Sequence, residues 1–277
     1  MTIALQQKKV KFPTVMLIDD DRQTTKYWRE LVHSGTSMGV ITANSVGQGK
    51  RLLTEGGIQV NAIIADLYLE GESEDGLDFL KYAQETFPDV PRYVLSWWAD
   101  RNIEKEKAKG MNLDVRRWIP KTVVGKGEES PCVVIERELV EESLQGHPEI
   151  RDVYRQLHQD DPGRKQNILD LARTFGAITQ TYLQELPDDS GLALVKPIEV
   201  ICTWEDEDEI RTTARDLGLL CDGRGKTIEQ SIEHLAESIV FEKDRLDSTG
   251  QSHVVGWAKE VNDKLNEYIV RSKTEAK

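Results

Sequence analysis

The sequence predicts an α/β N-terminal half built on a five-stranded parallel sheet, followed by a helical segment and a small α+β module. Five short apolar runs between residues 14 and 119 alternate with stretches whose apolar residues recur at helical spacing, the signature of strand-helix-strand crossovers. The runs are continuous, as in strands covered by helices on both faces. Past residue 145 they give way to helical stripes, and then to a segment that alternates polar and apolar residues.

After a short polar leader, Thr14-Val-Met-Leu-Ile18 is the first strand and stops at Asp19, Asp20 and Asp21. A helix carrying Tyr27, Trp28, Leu31 and Val32 on one face leads to the second strand, Met38 to Thr42. A short helix around Arg51 to Leu53 precedes the third, Val60 to Ala65, which again ends at an aspartate, Asp66. Leu77, Leu80, Ala83 and Phe87 mark the next helix. Pro91 then introduces the fourth strand, Arg92 to Ser96. The polar stretch Asp100 to Lys109 fits a solvated helix closed by Gly110, and the fifth strand is Val115 to Ile119. A helix capped by Ser130, with Pro131 in its first turn, completes the series.

Farther on, residues 148–157 and 168–186 read as helices, the second through Ile168, Leu171, Ala172, Phe175, Ile178, Tyr182 and Leu186; such stripes mark helix-on-helix core. Residues 186–191 read as a linker. Ile198, Val200, Cys202 and Trp204 alternate onto one strand face, residues 205–209 make a polar turn, Ile210 to Ala214 returns, and Leu217 to Cys221 is a third short strand. Thr227-Ile-Glu-Gln230 is a capping box opening a helix with Ile228, Ile232, Leu235, Ala236, Ile239 and Val240 inward. A final helix carries Val254, Trp257, Ala258, Val261, Leu265 and Tyr268. The domains are therefore expected at 14–145, with a helical connector at 146–190 and a small module with a C-terminal helix at 195–277.

Composition narrows the function. The 277 residues, 38% hydrophobic and 31% charged, suit two globular domains. No apolar run approaches the roughly 18 residues that span a bilayer. MTIALQQKKVKF lacks the apolar core of a secretory signal, so a cytoplasmic location and no membrane partner are expected. Cys132, Cys202 and Cys221 lie far apart with no metal spacing, and read as buried small residues. A net charge of -13 disfavours a DNA partner, and from Val195 onward 12 Lys and Arg still face 18 Asp and Glu.

In an open parallel sheet, ligands bind where loops converge at the carboxyl ends of the strands. Asp19, Asp20, Asp66, Ser96 and Lys121 all fall there. Clustered carboxylates repel one another and favour a hard divalent cation, with Mg²⁺ the obvious candidate. Beside such an ion a carboxylate can attack phosphorus, while a lysine and a hydroxyl neutralise the transferred group.

These motifs resemble the receiver domain of two-component response regulators over about residues 14–145. "VMLIDDD" at 15–21 is similar to the family's acid-pair strand, "AIIADL" at 62–67 to its phosphoacceptor strand, "YVLSWWAD" at 93–100 to its Ser/Thr strand, and "RWIPKT" at 117–122 to its lysine strand. The 30-residue spacing from Asp66 to Ser96 is the family's usual one. The resemblance implies a flavodoxin-like sheet in which Asp19, Asp20 and Asp66 bind Mg²⁺ with the backbone carbonyl of Tyr68. It further implies that Asp66 accepts a phosphoryl group, Ser96 and Lys121 contact it, and Ser96 and Trp118 act as switch residues. A sensor histidine kinase or phosphotransfer protein is the implied donor, and catalysis is limited to self-phosphorylation and hydrolysis of the aspartyl phosphate.

The sequence also departs from that pattern. Glu70 stands where the family has proline after the acceptor, and the following glycine, Gly76, comes two residues late, so the loop holding Glu70, Glu72, Glu74 and Asp75 reads as a solvated acidic insertion. Trp97, with Trp98 beside it, replaces a small residue after Ser96 and is expected to restrict access to the phosphoryl group. Thr122 replaces a proline after Lys121.

"GRGKT" at 223–227 lacks the leading glycine of a phosphate-binding loop, since Leu220 occupies that place; its glycines read as a turn before the Thr227 cap. The segment 198–239 is similar to small HicB-like modules, which implies an unknown protein partner. His33, His147, His158, His234 and His253 show no partner spacing. The expected function is a response regulator whose phosphorylated receiver switches a C-terminal interaction module. The alternatives are a non-phosphorylated receiver-like scaffold with an antitoxin-like binding module, and a phosphatase. The last is disfavoured by Tyr68, which stands where a second acid would be needed.

Overall fold

The computed structural model describes residues 11–55, 58–69, 74–97, 102–121, 130–143, 151–152, 154, 178–206, 209–214, 217, 222–248 and 257–271. The chain divides into two units, Pro13–Glu142 and a second one assembled from Met1–Phe12 and Ser143–Lys277. Its first strand, β1 (Lys11–Phe12), belongs to the second unit.

The first unit runs β2 (Thr14–Ile18), α1 (Arg22–Gly35), β3 (Gly39–Ala43), α2 (Val46–Thr54), β4 (Ala62–Asp66), α3 (Gly76–Thr86), β5 (Arg92–Ser96), α4 (Asn102–Gly110), β6 (Arg117–Pro120) and α5 (Pro131–Ser143). Its sheet has the order β3-β2-β4-β5-β6 with every pairing parallel. This is the flavodoxin-like five-stranded arrangement that the alternating pattern predicts. The four strands β2 to β5 are buried along their whole length, which is why they read as unbroken apolar runs. Val15, Leu17, Val40, Ile64, Tyr93, Leu95 and Ile119 pack with Trp28 and Val32 of α1 and with Ile135 and Leu139 of α5. The third and fifth strands begin two residues later than expected, at Ala62 and Arg117.

Polar residues at the strand ends start the helices. Asp21 caps α1 by accepting from the Gln23 backbone N–H, and Ser45 caps α2 by accepting from Gln48. Asp75 caps α3 in a reciprocal box with Asp78.

The second unit runs β7 (Ile178–Leu183), a 3₁₀ turn at Asp188–Ser190, β8 (Leu192–Leu194), β9 (Ile198–Asp206), β10 (Glu209–Ala214), β11 (Asp222–Gly225), α6 (Ile228–Ser248), α7 (Trp257–Tyr268) and β12 (Ile269–Arg271). One sheet has the order β1-β7-β9-β10-β11, and β8 pairs with β12 in a separate antiparallel pair. The register sets Val200, Cys202 and Trp204 opposite Ala214, Thr212 and Ile210, all buried, so the alternation in β9 does define the inner face.

Four expectations need correction in this unit. Residues 178–183 form a strand instead of the end of a helix: Ile178, Thr179 and Thr181 are β-branched, and hydrogen bonding to β1 and β9 on both sides outweighs the helical period. The supposed polar leader contributes β1, whose Phe12 is buried and meets Trp204 edge-on at 5.6 Å. Of the strand expected at 217–221, Leu217 lies in a turn and 218–221 are outside the described residues; Asp222–Gly225 is the strand that follows β10 among the described residues. Gly223 and Gly225 are therefore inside that strand; a Cβ on Gly223 would collide with the backbone of Ser231 and Leu235, so glycine is what lets α6 sit against β11. Of the helix expected at 148–157, Arg151, Asp152 and Tyr154 are described and are helical; the rest of it, with Trp98, Glu70, Glu72 and Thr122, lies outside the described residues.

The Ser231 hydroxyl lies 3.0 Å from the Ile210 carbonyl, 3.0 Å from the Thr212 hydroxyl and 3.1 Å from the Gly223 carbonyl, all buried. Ser231→Ala should cost about 1–2 kcal/mol, because buried acceptors lose a donor. Faster amide exchange confined to β10, β11 and α6 is the expected readout. Unchanged exchange would show that the hydroxyl contributes nothing.

Candidate functional site

β2 hydrogen-bonds to β3 on one side and to β4 on the other, so successive connections leave β2 in opposite directions and open a crevice at its carboxyl end. Asp19 and Asp20 follow β2, Asp66 ends β4, Ser96 ends β5 and Lys121 follows β6. Parallel pairing brings all of these ends to one edge. Asp66 lies opposite Leu95, and Ser96 opposite Pro120. The Lys121 backbone N–H donates to the Ser96 carbonyl at 3.0 Å, which places the lysine beside the serine.

The Lys121 ammonium is buried between two carboxylates. Its Nζ lies 2.7 Å from Asp66 Oδ2, to which it donates a hydrogen bond, and 2.7 Å from Asp19 Oδ2 as an ion pair. Asp19 Oδ1 accepts from the Asp21 backbone N–H at 3.0 Å. Burial dominates the electrostatics and pushes Asp66 up to about 6 against the hydrogen bond and charge of Lys121. Burial also raises Asp19, with the same opposition. For Lys121, burial favours the neutral amine, but the two carboxylates outweigh it and leave its pKa raised.

One lysine is thus holding a cluster with more negative than positive charge. Ligand oxygens of Asp19, Asp20 and Asp66 all lie within 4.8 Å of one another. Three clustered carboxylates with a single lysine between two of them are hard oxygen donors that fit a divalent cation of the Mg²⁺ class.

The unbalanced charge carries a pH dependence. Asp66 ionises near its ordinary 3.8 when unfolded and near 6 when folded, so the folded state binds more protons between those values. Without divalent cation, stability is greatest below about pH 4 on this account and falls as pH rises through 6, by on the order of 2–3 kcal/mol. Asp66→Asn should remove most of that slope in chelator. An unchanged slope would place the titration elsewhere. Mg²⁺ should flatten it in the wild type.

Other expected residues fall as follows. Ser96 is buried, at 1% exposure, with its strand neighbours. Trp118 lies in β6, partly buried, with Lys105 Nζ 5.9 Å from its ring centre. Trp97, expected to shield the acceptor, exposes 59% of its surface to solvent. The described part of the acidic loop is not simply solvated. Glu74 pairs with Lys50 of α2 at 2.7 Å, while Asp75 caps α3 and pairs with Lys107 of α4. Two of the four loop acids are therefore neutralised, because α2 and α4 bring lysines that linear spacing does not show.

Two contributors escaped the sequence reading. Gly76 stands where a Cβ would overlap the Asp66 carbonyl oxygen, so α3 can begin this close to Asp66 only on glycine. The Tyr68 hydroxyl donates to Glu104 of α4 at 2.6 Å across 36 residues of chain, a pairing with no sequence signal.

Solved receiver domains are similar to about half of this chain. The signal receiver domain of an HD domain-containing protein from Pseudomonas fluorescens Pf-5 is 16% identical, covering 48% of this chain and 97% of its own, with a TM-score of 0.38. A CheY-like response regulator receiver domain protein from Methanospirillum hungatei JF-1 is 16% identical over 49% and 98%, TM-score 0.38. The non-phosphorylated HemR receiver domain from Leptospira biflexa is 21% identical over 46% and 93%, TM-score 0.36. No protein-family model and no curated protein matches the sequence. No helix among the described residues is long and apolar enough to cross a membrane.

Proposed function

We propose that the first unit is the phosphoacceptor receiver of a response regulator and that Asp66 takes the phosphoryl group. The observation that carries this is the buried Asp19–Lys121–Asp66 triad, completed by Asp20 and Ser96 at the carboxyl edge of a five-stranded parallel sheet. The raised pKa of Asp66 marks a carboxylate held without enough positive charge, as suits a group meant to act beside a cation.

The Asp19, Asp20 and Asp66 carboxylates, with the Tyr68 carbonyl, would hold Mg²⁺; when bound, the ion supplies positive charge toward phosphoryl oxygens. An Asp66 carboxylate oxygen attacks phosphorus, the bond from phosphorus to the donor breaks, and the donor leaves with the electron pair. Lys121 is already 2.7 Å from the attacking residue and balances the incoming charge. Ser96 donates its hydroxyl to the transferred group. The phosphoryl group adds about -1.5 to -2 charges, and the Ser96 and Trp118 positions respond to it. A histidine kinase or phosphotransfer protein is the donor, and the second unit binds a protein partner as the output.

The test is intact mass after incubation of the full chain with Mg²⁺ and acetyl phosphate, or with a phosphorylated histidine-phosphotransfer protein. A gain of one phosphoryl group in the wild type and none in Asp66→Asn is expected. No gain from either donor overturns the proposal in favour of a non-phosphorylated scaffold.

A further inference from the structure

We infer that the free edge of β8 is a strand-addition site, at which the second unit takes up an extended segment of a partner protein with apolar side chains at alternate positions. This rests on the reading of the second unit as a protein-binding output and does not depend on the chemistry of Asp66.

The backbone shows which groups that edge presents. β8 and β12 form an antiparallel pair of three residues each, and no further strand joins them among the described residues. The Val195 N–H donates to the Tyr268 carbonyl at 2.8 Å and so continues the ladder on the β12 side. In an antiparallel pair the hydrogen-bonding groups of successive residues point to opposite sides. Ala193 therefore faces β12 as Val195 does, while Leu192 and Leu194 face outward. The Leu192 N–H agrees with this, since it donates to the Ser190 hydroxyl at 3.2 Å. Among the described residues, the N–H and C=O of Leu194 and the C=O of Leu192 are left on the open edge.

The side chains suit the same use. Ala193 lies opposite Val270, so the two share a face, while Leu192 and Ile269 on the other face are buried. Arg271, on that inner face, pairs with Asp247 of α6 at 2.9 Å, which leaves the face of Ala193 and Val270 outward. There Val270 is 47% exposed and Val195 61%. Ala193 is small enough for a long apolar side chain of an added strand to lie across it toward Val270.

Edge strands are normally guarded by charge, proline or cover. Among the other described edges, β6 carries Arg117 and Pro120, β11 carries Asp222 and Arg224, and β3 is buried throughout. Leu192-Ala193-Leu194-Val195 has no charge and no proline. A second folded copy is not the occupant this favours, because an interface between folded partners takes roughly 20–30 residues a side, far more than this ribbon supplies. An extended segment gains its affinity from main-chain bonds and needs only alternate side chains to specify it.

The experiment pans the full-length protein against a displayed library of random linear peptides, then measures binding of the enriched peptides in solution. Those peptides should carry apolar residues at alternate positions and should protect the Leu194 amide from hydrogen exchange. Leu194→Pro, which removes the outward N–H, and Val195→Lys, which puts a charge on the outward face, should each weaken binding about tenfold. Methylating the peptide's backbone nitrogens should abolish binding at every second position of the apolar stretch and spare it at the others, a readout independent of how the variants fold. Peptides that bind both variants as tightly as wild type, tolerate methylation everywhere, or protect other amides of the second unit overturn the inference and leave the protein-binding reading standing. Protection confined to residues 13–142 overturns both. No enrichment overturns the inference in favour of a folded partner, and a dimer in sedimentation that Val195→Lys dissociates overturns it in favour of a second copy.

Discussion

Replacing Lys121 by methionine should destabilise the first unit by about 3–5 kcal/mol at pH 8 in chelator, the cost of leaving buried charge without its partner. The ammonium touches Asp19 and Asp66 at 2.7 Å each, and all three side chains are less than a tenth exposed. Methionine keeps most of the length of the side chain, so lost packing contributes little. Two carboxylates already raised by burial would then face each other with no cation between them. At pH 5 they can escape by taking up protons, so the penalty should shrink there; Mg²⁺ at pH 8 should also recover part of it. Amide exchange in β2 and β4 reads the effect in this unit alone. A change under about 1 kcal/mol at pH 8, or an equal change at pH 5, would show that Lys121 is not what neutralises the cluster.

Phe12→Ala should cost the second unit about 3–5 kcal/mol, the usual range for emptying a buried aromatic site. Phe12 is 1% exposed, packs edge-to-face on Trp204, and pairs in register with Thr179 of β7. The affected unit lies almost wholly beyond residue 143, at the other end of the chain. Exchange should therefore quicken in β7 and β9 and stay unchanged in β2 to β6. Unchanged β9 exchange would mean that β1 is incidental to the sheet. The same result bears on dissection of the protein: a fragment starting at residue 195 lacks β1, β7 and β8, so it omits two strands of the sheet it is meant to contain.

The site was more legible than the module. Asp19, Asp66, Ser96 and Lys121 each end or follow a strand, and a strand buried on both faces announces itself as a short apolar run with a polar stop. The sequence alone could therefore place them on one edge. The same argument misjudged residues 178–183, where Ile178 and Tyr182 fit a helical stripe equally well. What decided between helix and strand was hydrogen bonding to β1 and β9, from about 170 residues upstream and about 20 downstream. The acidic loop misled for a related reason: Lys50 and Lys107 look like surface charges on their own helices and become counter-ions only when α2 and α4 flank the loop.

By itself the sequence determined the parallel α/β class of the first unit, the order of its elements and the residues at the carboxyl edge of its sheet, because each is encoded by local periodicity and by where an apolar run stops. Tertiary structure alone decided that residues 11–12 complete a sheet of the second unit, that Gly223 and Gly76 are places of close backbone approach, and that Tyr68 reaches Glu104. Those features depend on pairs of residues distant in sequence. A pattern read along one chain records what each segment prefers, and contact between segments is settled by the packing that brings them together.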